Sequence, residues 1–261
     1  MPVSFRTAGT GPGMLLLHGI GSSSASFLPQ LDALAGELRL VAWNAPGYAG
    51  SPDPEAEPGL DGYVAEATWL LTSVLDGPTH VVGVSWGGVI ALRLAATRPD
   101  LVRSLTVIGA SLGSGVDAAS AARMRARVAD LERLGTAAFA EERAPRLLSP
   151  AASEDLVRTA VATMAGSLRL RGYRYAAEAM ATTDLTKDLS RITAPTFVLA
   201  GAEDTVTGPE RAREIAAGID DAALVTVPGA GHLANQERPE LVNRWLRRIT
   251  AMTEPKERNH R

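Results

Sequence analysis

The sequence predicts an α/β fold: a mostly parallel β-sheet with helices on both faces and a block of helices inserted between two of its strands. Three observations carry this. Short apolar β-type runs alternate with helical stretches along most of the chain, which is how strand-helix-strand units read. Several of the runs are continuously apolar rather than alternating, as in strands covered on both faces. The stretch 112–190 contains no convincing strand and is dominated by Ala, Arg, Leu and Glu at helix-like spacing.

In chain order, strands are expected at 13–17, 39–43, 79–84, 104–109, 196–200 and 223–228. Helices are expected at 27–36, 61–75, 86–98, 209–218 and 238–250. The insertion, read as three to five helices, begins in a Gly-rich segment (Gly109, Gly113, Gly115) and ends at Arg191-Ile192-Thr193-Ala194-Pro195. The division is therefore a core of 1–111 and 191–261 with an insertion at 112–190, placed to act as a lid over the carboxyl ends of the strands.

A length of 261 residues fits one large domain, or one domain with an insertion. The formal net charge of −3 gives no electrostatic footprint for nucleic acid. The absence of cysteine excludes disulfides, thiolate metal sites and a Cys nucleophile, and it suits a cytoplasmic protein. Residues 1–7 lack the apolar core of a signal peptide, and no apolar run approaches the roughly 18 residues of a membrane span. The polar tail 253–261 reads as a frayed end.

The chemistry centres on Gly83-Val84-Ser85-Trp86-Gly87, which follows the apolar run Thr79-His80-Val81-Val82 and precedes a helical pattern. Gly-x-Ser-x-Gly between a strand and a helix describes a nucleophile elbow, a sharp turn that projects the serine Oγ from the end of the sheet. Alone the motif is weak, because small residues are common in such turns. A serine hydroxyl also needs a base, and the base needs an orienting carboxylate, in the chain order Ser, acid, His. Gly201-Ala202-Glu203-Asp204 follows the strand at 196–200, and Gly229-Ala230-Gly231-His232 follows the strand at 223–228. Of the four histidines, His80 lies within a strand, His260 in the tail and His18 before the elbow, which leaves His232 as base. Asp204 could instead cap the helix that follows, and Glu203 is an adjacent competing acid. An oxyanion hole requires two backbone donors. Trp86 N–H, at a helix start, supplies one, and Ile20 N–H in the strand-ending loop His18-Gly19-Ile20-Gly21 is the natural second.

With these motifs in place, the chain resembles an α/β-hydrolase with a helical cap. The likeness runs over nearly its whole length, through His18–Gly21, Asn44-Ala45-Pro46-Gly47-Tyr48-Ala49-Gly50-Ser51, the elbow, 201–204, 229–232 and Glu237-Arg238-Pro239. It implies Ser85, Asp204 and His232 as a catalytic triad, with Asp204 preferred to Glu203 because the family's motif ends there. Within the family it is most similar to small bacterial carboxylesterases, enol-lactone hydrolases and meta-cleavage-product hydrolases. Two departures stand out: Asn44 replaces a common Asp, and Val84 replaces the Asn that C–C-cleaving members carry before the nucleophile. Epoxide hydrolases and haloalkane dehalogenases of this fold place Asp where this chain has Ser85.

The remaining residues divide between chemistry and packing. His18 is expected to brace the oxyanion loop. His80 is read as a satisfied strand histidine. No pair of histidines has metal-ligand spacing, and no Gly-x-Gly-x-x-Gly follows a strand, so neither metal nor cofactor is assigned. Phe27 and Tyr173 are candidates for the substrate pocket, with core packing as the competing role, and Trp86 is a further pocket candidate. The cap arginines, Arg123, Arg125, Arg127, Arg169, Arg171 and Arg174, invite an anionic substrate but read mostly as a solvated face. The expected partner is a small, largely apolar ester or lactone, hydrolysed through an acyl-enzyme. No nucleic acid and no membrane span are expected, and a homo-oligomer stays open. The alternatives are C–C bond hydrolysis, perhydrolase or acyltransferase chemistry on the same triad, and a slow-turnover ligand receptor.

Overall fold

The computed structural model describes residues 3–254. Seven strands form one sheet in the order β1-β3-β2-β4-β5-β6-β7. They are β1 (Phe5–Ala8), β2 (Gly13–Leu17), β3 (Arg39–Trp43), β4 (Thr79–Val84), β5 (Val102–Ile108), β6 (Thr196–Gly201) and β7 (Ala222–Val227). Only β1 runs antiparallel, against β3. The six expected strands are present. β1 is an addition that the sequence reading missed: its first three residues are exposed, so no apolar run marks it.

Side-chain alternation along the strands builds a core on each face. Leu15, Leu17, Val41, Trp43 and Val81 point into one core. Their neighbours Met14, Leu16, Leu40, Ala42 and Val82 point into the other. The helices that cover the faces are α1 (Leu28–Leu34), α2 (Gly59–Ser73), α3 (Trp86–Thr97), α7 (Gly208–Ala217), the one-turn α8 (Ala234–Glu237) and α9 (Pro239–Thr253). The tail residues 255–261, including His260, lie outside the described residues.

Between β5 and β6 the chain forms α4 (Ala118–Arg143), α5 (Glu154–Ser167) and α6 (Leu170–Thr182). Asp117 caps α4 by accepting Ser120 N–H at 2.8 Å, and Ser153 caps α5 by accepting Leu156 N–H at 3.3 Å. α4 breaks its helical path at Gly135, where φ is 73°. Among the described residues, no helix is long and apolar enough to cross a membrane.

Candidate active site

Ser85 sits between β4 and α3 with φ 54° and ψ −116°, a strained conformation for a side chain with a Cβ. Its N–H extends the ladder by donating to Ile108 O at 2.8 Å. The turn is this tight because its flanking glycines let strand and helix touch. A Cβ on Gly83 would lie 2.3 Å from Gly87 O, and one on Gly87 would lie 2.0 Å from Leu17 O. The loop after β2 also presses on the serine: a Cβ on Gly19 would lie 3.3 Å from Ser85 Cβ.

His232, in the loop after β7, is buried, with Nδ1 2.9 Å from Asp204 Oδ2. Asp204, in the loop after β6, accepts four hydrogen bonds. Oδ1 takes Val206 N–H at 2.7 Å and Thr207 N–H at 3.2 Å; Oδ2 takes the Thr207 hydroxyl at 2.8 Å and His232. Burial pushes this carboxyl up, but the hydrogen bond and charge of His232, with the Thr207 and Val206 donors, outweigh it and hold the pKa at about 2. Asp204 is therefore ionised near neutral pH and acts only as acceptor. That assigns the His232 proton to Nδ1 and leaves Nε2 free to accept one. Glu203 holds no such contact. Thr207 is a participant that the sequence reading missed; its signal was the spacing Asp204-x-x-Thr207, in which an Asp oxygen caps the turn beyond it.

His18 is fully buried. Ala45 N–H donates to its Nε2 at 3.0 Å, so Nε2 is unprotonated and Nδ1–H donates to Gly19 O at 2.8 Å. Burial lowers its pKa from 6.5 to about 4, with the Gly19 bond opposing. The ring is thus a neutral brace for the loop bearing Gly19 and Ile20. Ile20 N–H donates to no group among the described residues. Trp86 N–H lies in the first turn of α3, where the helix supplies no acceptor.

A cavity of about 250 Å³ joins Ser85, His232, Gly19, Ile20 and the helical insertion. Three pocket candidates lie elsewhere. Phe27 belongs to the core beneath the opposite sheet face, with Met14, Leu16 and Leu34. Tyr173 is buried within the insertion, edge-on to Phe139 at 5.4 Å. The Trp86 ring packs T-shaped on Tyr63 at 4.7 Å and reaches no cavity surface. Each is an aromatic ring that the fold buries in its interior.

The arginines also divide. Arg125 pairs with Glu178, Arg169 with Asp53 and Arg174 with Glu132, all holding the fold together at its surface, while Arg171 is exposed on α6. Arg123 and Arg127, by contrast, line the cavity, joined by Arg143 and Arg211. Burial lowers the pKa of Arg127, and the charges of Arg143 and Arg123 push the same way. The wall is therefore more polar and more cationic than a small, largely apolar substrate requires.

The insertion is stitched to the histidine loop. Leu147 O accepts His232 N–H at 2.9 Å and Leu233 N–H at 3.2 Å. Glu237 closes the seam, its Oε2 accepting Ser149 N–H and its Oε1 accepting Gly231 N–H, both at 2.8 Å.

Comparison with known proteins agrees with this architecture. A protein of Variovorax paradoxus (strain S110), provisionally named carbamate hydrolase RutD, is 31% identical over 259 residues, covering 94% of this chain and 95% of its own. The (E)-2-((N-methylformamido)methylene)succinate hydrolase of Acinetobacter baylyi is 25% identical over 244 residues, covering 91% of each chain. A thermophilic esterase from Thermogutta terrifontis superposes with a TM-score of 0.90 at 24% identity, over 97% of this chain and 94% of its own, which shows a shared fold. The model of the Alpha/beta hydrolase family matches residues 14–245. The chain belongs to the alpha/beta hydrolase family.

Proposed function

We propose that this hydrolase cleaves a carboxylic ester or lactone through an acyl-enzyme on a Ser85-His232-Asp204 triad. The observation that carries the reading is the convergence of Ser85 and His232 on one cavity, with His232 Nδ1 held by an ionised Asp204 at 2.9 Å. Ser85 Oγ attacks the carbonyl carbon while His232 Nε2 takes the hydroxyl proton. The carbonyl oxygen becomes an oxyanion, received by Ile20 and Trp86 N–H. The C–O bond to the leaving oxygen breaks, and His232 returns its proton to that oxygen. Water then attacks the acyl carbon as His232 takes its proton. The Ser85 ester bond breaks, the acid leaves and Ser85 is reprotonated. Ser85, His232 and water account for every bond and proton in the cycle. The 112–190 insertion serves as a cap that covers the acyl group. The cysteine-free sequence supports action in a reducing cytoplasm.

A second reading, carbamate hydrolysis, is favoured by the name of the 31% identical relative. It uses the same steps with a carbamoyl carbon in place of the acyl carbon. The test is hydrolysis of p-nitrophenyl esters from acetate to octanoate, beside p-nitrophenyl N-alkylcarbamates, for the protein and Ser85→Ala. The expected result is ester turnover peaking at one chain length, reduced in the variant by about 10⁴-fold or more. Retained turnover in Ser85→Ala would overturn the triad. Turnover of carbamates alone would select the second reading.

A further inference from the structure

The cavity wall carries four arginines, Arg123, Arg127, Arg143 and Arg211, and no Asp, Glu or Lys. In a chain with 29 acidic residues against 26 basic ones, a wall of one sign is a local arrangement, not a reflection of composition. Arg211 has a partner, Glu214, at 2.7 Å. Arg123, Arg127 and Arg143 have no carboxylate within reach among the described residues, whereas their neighbours Arg125, Arg133, Arg158, Arg169 and Arg174 all do. Arg127 and Arg143 are also half-buried, so they have given up part of their hydration without gaining a counter-charge. The partners that Arg127 and Arg123 do have are neutral: Arg127 reaches the Met124 sulfur at 3.6 Å and lies beside the Tyr173 hydroxyl, and Arg123 donates to the Ser120 hydroxyl at 2.8 Å.

We propose that the substrate bears a carboxylate that seats on Arg127 and Arg143, with Arg123 beside them, while its scissile carbonyl lies at Ser85. Arg123 and Arg127 stand one helical turn apart on α4 and so present their guanidinium groups from the same helix face. Arg143 comes from the far side of the Gly135 break, which returns the end of α4 to the same cavity. A planar guanidinium meets a carboxylate with two parallel hydrogen bonds, and a single anion relieves the mutual repulsion of all three cations. The same wall carries the apolar side chains Met124, Met164, Met180 and Leu147, with the hydroxyls of Ser111, Ser114, Ser120 and Thr163 among them. The substrate class is then an ester or lactone whose acyl chain has an aliphatic stretch ending in a carboxylate, and the product is a dicarboxylic acid. The bond cleaved at Ser85 rests on the hydrolase reading above; the anion seat does not.

The experiment compares 4-nitrophenyl hydrogen glutarate with its methyl ester, a pair with the same acyl chain that differs by one charge and one methyl group. For the unmodified protein kcat/KM should favour the anionic ester by about 10- to 100-fold, the range set by a hydrogen bond to a charged group. Arg127→Gln and Arg143→Gln should each collapse that ratio through KM, with Arg127→Lys keeping part of it. Arg171→Gln, exposed on α6 and off the cavity, should keep the full ratio. Equal kcat/KM for the two esters, or a ratio unmoved by Arg127→Gln and Arg143→Gln, would overturn the inference. If neither ester is cleaved, the ester reading fails, and binding of glutarate itself decides the anion seat. A thermal midpoint raised by glutarate in the unmodified protein but not in Arg127→Gln supports it. No rise in either overturns it.

Discussion

Asp204 Oδ2 and His232 Nδ1 lie 2.9 Å apart across the ends of two neighbouring parallel strands, β6 and β7. The register of that pair, Gly201 beside Val227, brings the two loops level, so the carboxylate reaches the ring without either loop being long. Three further donors hold the carboxylate in place, which makes its orientation independent of the histidine.

Asp204→Asn should therefore leave the fold intact and remove most of the turnover. The amide can offer His232 Nδ1 a donor, which moves the ring proton to Nε2 and disables the base. A loss of about 10⁴-fold in kcat is expected from the wrong tautomer. Steady-state kinetics beside a circular dichroism spectrum checks it, and a loss under tenfold would contradict the role given to Asp204.

Ser85 adopts φ 54° with a Cβ in place, and that strain should be recoverable as stability. Ser85→Gly should raise the unfolding free energy by about 1 kcal/mol while abolishing turnover, the trade expected where function demands a disfavoured backbone. Urea unfolding of the two proteins measures it; an unchanged or lowered midpoint would refute it.

His18 should make stability depend on pH. Unfolded, it takes up a proton as pH falls through 6.5; folded, it does so only near 4. The unfolded state binds the extra proton in between, so its contribution is complete above 6.5, falls from there to about 4 and is constant below. The shift corresponds to about 3 kcal/mol, and His80, lowered by its own burial, acts in the same direction. Urea midpoints between about pH 7 and pH 4 report the fall; a flat profile would show that His18 is not buried as a neutral ring.

How far these features were legible in the sequence follows from what each residue's surroundings depend on. The sheet interior was readable because Leu15–Leu17 and Val81–Val84 are apolar on both faces, a local property. β1 was not, because Phe5, Arg6 and Thr7 are exposed and their pairing with β3 is their only mark. Ser85, Asp204 and His232 were marked by strand ends, and the structure places each at one. Phe27 stayed open between pocket and core because closeness in sequence to Gly19–Gly21 says nothing about which sheet face its ring enters. Which of the arginines face the cavity was hidden for a related reason. Helical spacing identifies the polar stripe of α4, but the bend at Gly135 and the docking of α4 on α5 and α6 decide which arginines turn inward.

The seam at Leu147, Ser149 and Glu237 bears on how this protein could acquire a new specificity. Exchanging the 112–190 segment for that of a relative is the obvious route, since the segment carries half of the cavity wall. A graft, however, must bring a carbonyl where Leu147 O receives two N–H groups and a donor where Ser149 N–H meets Glu237. Without them two N–H groups of the loop that carries His232 lose their one shared acceptor, and Glu237 keeps one donor of two. The segment is thus not a free module: its inner edge is shared with the base, and point changes at its arginines offer the safer path to altered selectivity.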